Sequence, residues 1–147
     1  MPGTMKTLNN ISRCQAMYRK KAVAAEDLCP NQYAFVLNIC HEPGRSQDEL
    51  AKALCLDKST VARTLAHLER YGYITRILNE KDKRQYLVHP TDKMLNIYPK
   101  IQLANREWNA RLTENVSPDE LEVFHKVLSQ MEQNAKRITE ELEVTSN

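Results

Sequence analysis

Glycine is scarce in this sequence, with three glycines and six prolines among 147 residues. Glycine-rich phosphate-binding loops and nucleophile elbows are both missing, and no His-Glu-x-x-His pair occurs. The four histidines are scattered along the chain rather than clustered. These absences argue against an enzyme.

Long apolar runs are missing as well. No run of about 18 apolar residues is present, so we expect no membrane-spanning helix and no membrane partner. The first residues, MPGTMKTLNNIS, lack the apolar centre of a signal peptide. The expected location is therefore the cytoplasm.

Cysteine pairs of the C-x-x-C type are also absent. The four cysteines, Cys14, Cys29, Cys40 and Cys55, show no regular framework. In a reducing compartment such residues are expected to be free thiols, mostly buried as small apolar side chains.

Charge is distributed unevenly although the net charge is only +2. Residues 45–93 hold ten Lys and Arg against seven Asp and Glu, whereas residues 94–147 hold six against nine. A basic middle followed by an acidic end indicates an anionic partner that binds at the middle.

Apolar spacing and stop signals predict two helices at the start of the chain. Residues 11–28 have helical spacing, and Pro30 suits the first turn of a second helix. Pro43 and Gly44 end that second helix.

A helix–turn–helix follows. Ser46 with Glu49 has the pattern of a capping box. The predicted inner face of this helix is Leu50, Ala53 and Leu54. A turn at 55–57 leads into DKSTVARTLAHLERYGYI, with Asp57 as N-cap and Gly72 as a left-handed stop.

The hydrophobic period then changes from 3.6 to 2 at YITRIL. The charged turn NEKDKR and the returning segment QYLVH complete a β-hairpin over residues 73–89. Thr91 and Ser117 are predicted N-caps of two long helices. The predicted fold is mainly α with a small β-hairpin wing, a winged helix-turn-helix.

The second helix of the motif has the features of a recognition helix. With Val61, Leu65 and Leu68 turned inward, the outward residues are Ser59, Arg63, Ala66 and Arg70, flanked by Thr60 and His67. Small residues at the helix start permit close approach, and free N–H groups there suit phosphate. Arg63 can reach a guanine edge, while Lys58, Ser59 and Thr60 are placed for phosphate or base contacts in a major groove.

The hairpin supplies further cations. Lys81, Lys83 and Arg84 lie at its tip and Arg76 on the strand that leads to it. A cationic tip suits the narrow minor groove of DNA. We expect Asp82 to pair with Arg84 or a neighbouring arginine and to fix its direction.

These residues resemble the MarR family of bacterial regulators. The resemblance runs through LCPNQYAFVL, SQDELAKALCLDKSTVARTLAHLERYGYITR, the DKR of the wing, HPTDK and SPDELEVFHKVLSQMEQNA. It implies a homodimer that binds a pseudo-palindromic operator in double-stranded DNA, and we expect a repressor rather than an activator. The implied regions are a dimerisation helix at 1–28, the DNA-binding region at 29–90 and dimerisation helices at 91–147.

The resemblance also assigns residues. It places Ser46 and Gln47 at the DNA backbone, Lys58, Ser59, Thr60 and Arg63 in the major groove, and Asp82 and Arg84 in the wing. The first helix, residues 11–28, is shorter than is usual in the family.

Family members respond to several kinds of signal, and the sequence leaves three open. Cys14, near the predicted start of the first helix, is a candidate redox thiol. Cys29, Cys40 and His41 resemble part of the zinc site of one branch, although Arg111 stands where that branch has a histidine. A small organic effector is the third possibility; no cofactor is required. A winged helix that binds another protein is the alternative, and steep salt dependence would indicate DNA instead.

Overall fold

The computed structural model describes residues 3–146. The helices are α1 Thr4–Val23, α2 Tyr33–His41 after a 3₁₀ turn at Pro30–Gln32, α3 Gln47–Leu54, α4 Lys58–Arg70, α5 Asp92–Leu112 and α6 Pro118–Thr145. The strands are β1 Arg45–Ser46, β2 Ile74–Leu78 and β3 Tyr86–Pro90. The mainly α fold with a hairpin wing is confirmed. The chain divides into two compact units, one ending at Trp108 and one beginning at Asn109.

The predicted bounds of the first helix are wrong at both ends. α1 begins at Thr4, where the N–H of Lys6 bonds the carbonyl of Gly3 at 2.9 Å. It ends at Val23 because Ala24 adopts a left-handed φ of 52° and closes the last turn onto Lys20. The helix therefore starts earlier than the 11–28 segment, ends earlier and has 20 residues.

The helix–turn–helix is built as predicted, with one error in its packing. The Ser46 Oγ accepts the N–H of Glu49 at 3.2 Å, and α3 ends where Cys55 turns left-handed. Leu50 is buried as expected, but Ala51 is buried in place of the predicted Ala53. The buried face is rotated toward Ala51 because α3 packs against both α2 and α4.

The wing is part of a three-stranded antiparallel sheet in the order β1-β3-β2. β2 and β3 pair from Ile74 opposite Pro90 to Leu78 opposite Tyr86, within the predicted hairpin. β1 was not predicted, because two residues are too few to show an alternating pattern. It joins the start of α3 to the wing strand β3.

The core of the first unit forms around α4. Val61, Leu65 and Leu68 are fully buried, as the helical spacing predicts. The other buried apolar residues come from α1, α2, α3, the sheet and α5, among them Phe35, Ile39, Leu50, Val88, Met94 and Ile101. The core thus fixes the inner side of α4 and leaves its opposite side exposed.

Two turns join the end of α4 to the sheet and to α5. Gly72 has the predicted left-handed φ, 79°, and the N–H of Tyr73 bonds the carbonyl of Leu68 at 2.8 Å. The hydroxyl of Thr91, the predicted N-cap of α5, donates to the carbonyl oxygens of Gly72 and Tyr73 at 2.6 and 3.0 Å. Thr91 stands directly before α5, as predicted, and its carbonyl accepts the N–H of Leu95 at 3.0 Å. Its hydroxyl bonds also join the two ends of the hairpin.

The second unit consists mainly of α6. Ser117 is the N-cap of α6, as predicted, and forms a capping box with Glu120 through reciprocal bonds of 3.2 and 2.9 Å. No side chain of α6 in the described residues is buried. Within residues 3–146, no helix combines the length and apolarity needed to span a membrane.

Candidate DNA-binding surface

The outward stripe of α4 is present as predicted. Ser59, Arg63, Ala66 and Arg70 are all exposed. The opposite face is anchored by the three fully buried residues of the core, so the helix cannot rotate to hide this stripe. The structure therefore presents a face with arginines and small side chains to solvent.

The start of α4 is organised by Asp57. Its Oδ2 accepts the N–H of Thr60 at 2.9 Å and the hydroxyl of Ser59 at 2.5 Å. Its Oδ1 accepts the hydroxyl of Thr60 at 2.6 Å. The bonds from Ser59 and Thr60 lower the pKa of the exposed Asp57 carboxyl, which is an anion at neutral pH.

The two cations of this turn have partners of their own. The Arg63 Nη2 donates to the Thr60 Oγ1 at 3.3 Å. The same hydroxyl donates to Asp57, so Arg63 is linked to Asp57 through Thr60. The Lys58 Nζ lies 3.5 Å from the Asp48 Oδ1 and remains 75% exposed. That pair brings the first turns of α3 and α4 together.

The wing tip, residues 79–85, contains the predicted acid–base pair. The Asp82 Oδ1 accepts both the Nε of Arg84 at 3.1 Å and its backbone N–H at 3.2 Å. The Arg84 side chain remains 90% exposed despite this pair. Lys81 and Lys83 are also exposed. The predicted pairing of Asp82 with Arg84 is confirmed, and its role toward DNA stays a prediction.

Arg76 is less free than the sequence suggests. Its Nε lies 3.4 Å from the Glu69 Oε2 of α4, and only 24% of its side chain is exposed. That Nε is buried and has no hydrogen-bond partner among the described residues. Arg76 therefore joins the wing to the recognition helix through an ion pair.

A surface cleft of about 170 Å³ collects predicted residues from three segments. Ser46 and Gln47 come from the start of α3, Arg76 from β2 and Arg84 from the wing tip. Lys58, Ser59, Thr60 and Arg63 lie outside the cleft, on the first turns of α4. The residues predicted to contact the DNA backbone, Ser46 and Gln47, therefore line the same cleft as Arg76 and Arg84 of the wing.

A second polar centre, which no sequence pattern predicts, lies at the other end of α4. The Asp27 carboxylate accepts the Tyr73 hydroxyl at 2.5 Å and the Lys93 Nζ at 2.6 Å. The bonds from Lys93 and then Tyr73 lower the pKa of Asp27, while burial and the same bond raise the pKa of Tyr73. His67 adds a contact, because its Nε2 lies 3.1 Å from the Asp27 carbonyl oxygen. Asp27 therefore ties the loop after α1 to the end of α4 and the start of α5.

The candidate sensing residues do not form a ready site. Cys14 is exposed in the middle of α1, so no helix N-terminus acts on it as was expected. Cys29 and Cys55 are exposed too, which corrects the prediction of buried thiols; Cys40 is half-buried and burial raises its pKa to about 11. In residues 3–146 no three His, Cys, Asp or Glu side chains are grouped as metal ligands, so the structure does not gather Cys29, Cys40 and His41 into a zinc site.

A helix–turn–helix with an exposed cationic recognition face, followed directly by a cationic hairpin, defines a winged-helix DNA-binding protein. Comparison with known proteins specifies the family. The MarR family profile matches residues 28–86. A solved structure of MarR is 31% identical, with a TM-score of 0.74 over 93% of this chain and 99% of that one. The chain belongs to the MarR family, whose members are transcriptional regulators and not enzymes.

Two further relatives agree with this assignment. An uncharacterized HTH-type transcriptional regulator of Bacillus subtilis, YybA, is 27% identical over 76% of this chain and 74% of its own length. A MarR-family regulator from Listeria monocytogenes, solved in complex with a 26mer DNA, is 25% identical and has a TM-score of 0.84. The match covers 91% of this chain and 89% of that protein.

Proposed function

We propose that this chain is a repressor that binds a pseudo-palindromic operator as a homodimer and is released by a signal. Each protomer inserts α4 into a major groove and places its wing near the adjacent minor groove. The two half-sites then lie about one helical turn, roughly 10 bp, apart.

The observation that carries this proposal is the combined cation display of α4 and the wing. Arg63 projects from the first turns of α4, and Arg84 projects from the wing tip with 90% of its side chain exposed. Asp82 accepts two bonds from Arg84 and so limits its direction. Binding to another protein does not require cations on both α4 and the wing, whereas contact with two grooves of one DNA duplex does.

The exposed apolar surface of α6 supports dimerisation. Val123 and Val127, one turn apart, are 63% and 52% exposed, and Phe124 beside them is 49% exposed. Further along, Ile138 and Leu142 repeat the same spacing at 51% and 62% exposure. Contiguous apolar surface of this kind on a soluble helix marks an interaction site. A second copy of the chain provides an equal surface to cover it.

Selection of binding sites from a random duplex pool tests the operator, and sedimentation of the free protein tests the dimer. We expect a palindromic consensus and the mass of two chains. Fluorescence anisotropy of the selected duplex should then show affinity that falls steeply as salt rises, because phosphate contacts release counterions. Salt-independent binding, or failure to enrich any sequence, contradicts the DNA-binding role and favours a protein-docking scaffold.

Three arginine variants locate the contact surface. Arg63→Ala should weaken binding about tenfold or more and relax the preference at one base position, as expected for a base contact. Arg84→Ala should weaken binding with little change in the major-groove consensus. Arg106→Ala removes the same charge from an exposed position of α5, outside α4 and the wing; it is the matched control and should bind like the unaltered protein.

The signal is tested in the same assay. Zinc, peroxide and small aromatic acids are added to the protein–DNA complex in separate titrations. Release by zinc should disappear in His41→Ala, and release by peroxide should disappear in Cys14→Ser. Release by an aromatic acid that neither substitution changes identifies an organic effector.

A further inference from the structure

The first turn of α4 contains two hydroxyls whose protons have the same acceptor. The Ser59 hydroxyl is 2.5 Å from the Asp57 Oδ2, and the Thr60 hydroxyl is 2.6 Å from the Oδ1. The backbone N–H of Thr60 also bonds the Oδ2. Both carboxylate oxygens are therefore occupied, and every group that contacts them is a donor.

The direction of these bonds follows from chemistry. An ionised carboxylate only accepts hydrogen bonds, whereas a hydroxyl has one proton and two lone pairs. The surrounding donors hold the pKa of Asp57 below its ordinary value, so the carboxylate has no proton to give. Ser59 and Thr60 must each direct their single proton to Asp57. Toward anything else, both hydroxyls are acceptors.

The two hydroxyls differ in what remains available. The Thr60 Oγ1 already accepts an Nη2 of Arg63 at 3.3 Å, and Thr60 is half-buried. Ser59 is exposed, and no hydrogen bond from another of the described residues occupies the lone pairs of its oxygen. Asp57 is thus connected to Ser59 directly and to Arg63 through Thr60.

In the major groove, donors and acceptors distinguish the bases. Adenine and cytosine present an exocyclic amino group, while guanine and thymine present carbonyl oxygens at the corresponding edge. A hydroxyl that can only accept fits an amino group and is repelled by a carbonyl oxygen. It cannot donate to a phosphate either. Arg63 has only donors, and guanine offers two acceptors to it.

We propose that Asp57 is a specificity-determining residue: it makes Ser59 an acceptor that selects adenine or cytosine, and it anchors Arg63 through Thr60. This inference rests on the proposed function, because it assumes that α4 enters the major groove. Capping of α4 does not require a carboxylate at position 57, since asparagine and serine cap helices as well as aspartate does. A carboxylate close to phosphates opposes binding, so its contribution to base selection is distinct from simple attraction.

The first experiment identifies the base that Ser59 contacts. Each position of the selected half-site is changed to all four bases, and affinities are measured for the unaltered protein and for Ser59→Ala. We expect one position where Ser59→Ala removes the discrimination and where the unaltered protein prefers adenine or cytosine about tenfold over guanine or thymine. A preference for guanine or thymine there overturns the proposal. So does a uniform loss across all sequences, which indicates a phosphate contact.

The second experiment uses Asp57→Asn, which keeps the cap. The N–H of Thr60 fixes the amide oxygen at the Oδ2 site, where it still accepts from Ser59. The amide nitrogen then donates to the Thr60 hydroxyl, whose own proton no longer has a fixed acceptor, so the direction of the remaining Oγ1 lone pair toward Arg63 is no longer held. We expect the Ser59 preference to remain, and the preference for guanine at the Arg63 position to fall several-fold.

The alternative is a purely electrostatic role for Asp57. Removal of one negative charge then tightens binding equally for every sequence and leaves all preferences unchanged, which overturns the proposal. Thermal unfolding of Asp57→Asn should match the unaltered protein, so that a folding defect is excluded. If no site is selected at all, the proposed function itself fails, and that result is distinct from a selected site with the wrong base preference.

Discussion

Tyr73→Phe is the sharpest test of the polar centre at Asp27. The substitution removes one hydroxyl from a residue that is 2% exposed and keeps the ring in place. The Lys93 Nζ, 4.3 Å from the centre of that ring, also keeps its contact. The change therefore isolates one hydrogen bond, from Tyr73 to Asp27 at 2.5 Å.

The expected magnitude follows from the charge and exposure of the acceptor. A hydrogen bond to a charged group contributes about 1.5–3 kcal/mol. The Asp27 side chain is 30% exposed, so water replaces part of the lost bond. We expect the free energy of unfolding to fall by about 1–2 kcal/mol. For a chain of this size that lowers Tm by roughly 2–8 °C.

The effect should also depend on pH in a defined direction. Tyr73 helps to lower the pKa of Asp27, so its contribution is present above the unfolded pKa of about 3.9 and is lost as pH falls through the folded pKa. The difference between Tyr73→Phe and the unaltered protein should be constant from about pH 5 to pH 8 and shrink below about pH 4.

Urea unfolding followed by circular dichroism measures both quantities, at one protein concentration because dimerisation affects apparent stability. Tyr86→Phe is the control, since Tyr86 is 53% exposed and should change the free energy of unfolding by less than about 0.5 kcal/mol. A Tyr73→Phe effect as small as that of the control, or one that is equal at pH 7 and pH 3.5, refutes the assigned role of Asp27.

Three further predictions use single substitutions or one reagent. Asp82→Ala should weaken DNA binding in anisotropy titrations, because Arg84 loses its orienting partner; tighter binding would mean that only charge matters. Gly72→Ala should lower the free energy of unfolding by about 1–2 kcal/mol in urea, since the left-handed φ of 79° disfavours a Cβ while no described atom lies within 4 Å of it; an unchanged free energy would contradict that strain. Cys40, with its pKa raised to about 11, should react with iodoacetamide far more slowly at pH 8 than exposed Cys55, as followed by peptide mass spectrometry; equal rates would contradict its burial.

The parts of this protein that depend only on neighbouring residues follow from the local sequence. Helix caps at Ser46, Asp57 and Ser117 act over three positions, and each bonds the backbone N–H that the spacing predicts. Gly72 can take the left-handed conformation because it has no Cβ, which would clash with the backbone at that φ. The outward stripe of α4 follows from the helical period once the buried positions are known.

Contacts between distant segments, in contrast, depend on how the core packs those segments against each other. Asp27 meets Tyr73 and Lys93 across 46 and 66 positions of the chain, and no local pattern marks such a contact. Arg76 carries the same charge as Arg84 in the sequence, yet the packing of β2 beside α4 pairs it with Glu69 and leaves Arg84 exposed. The physical reason is range: caps, turns and the Asp82–Arg84 pair act within a few residues, whereas charged side chains on separate elements find their partners only when the core brings those elements into contact.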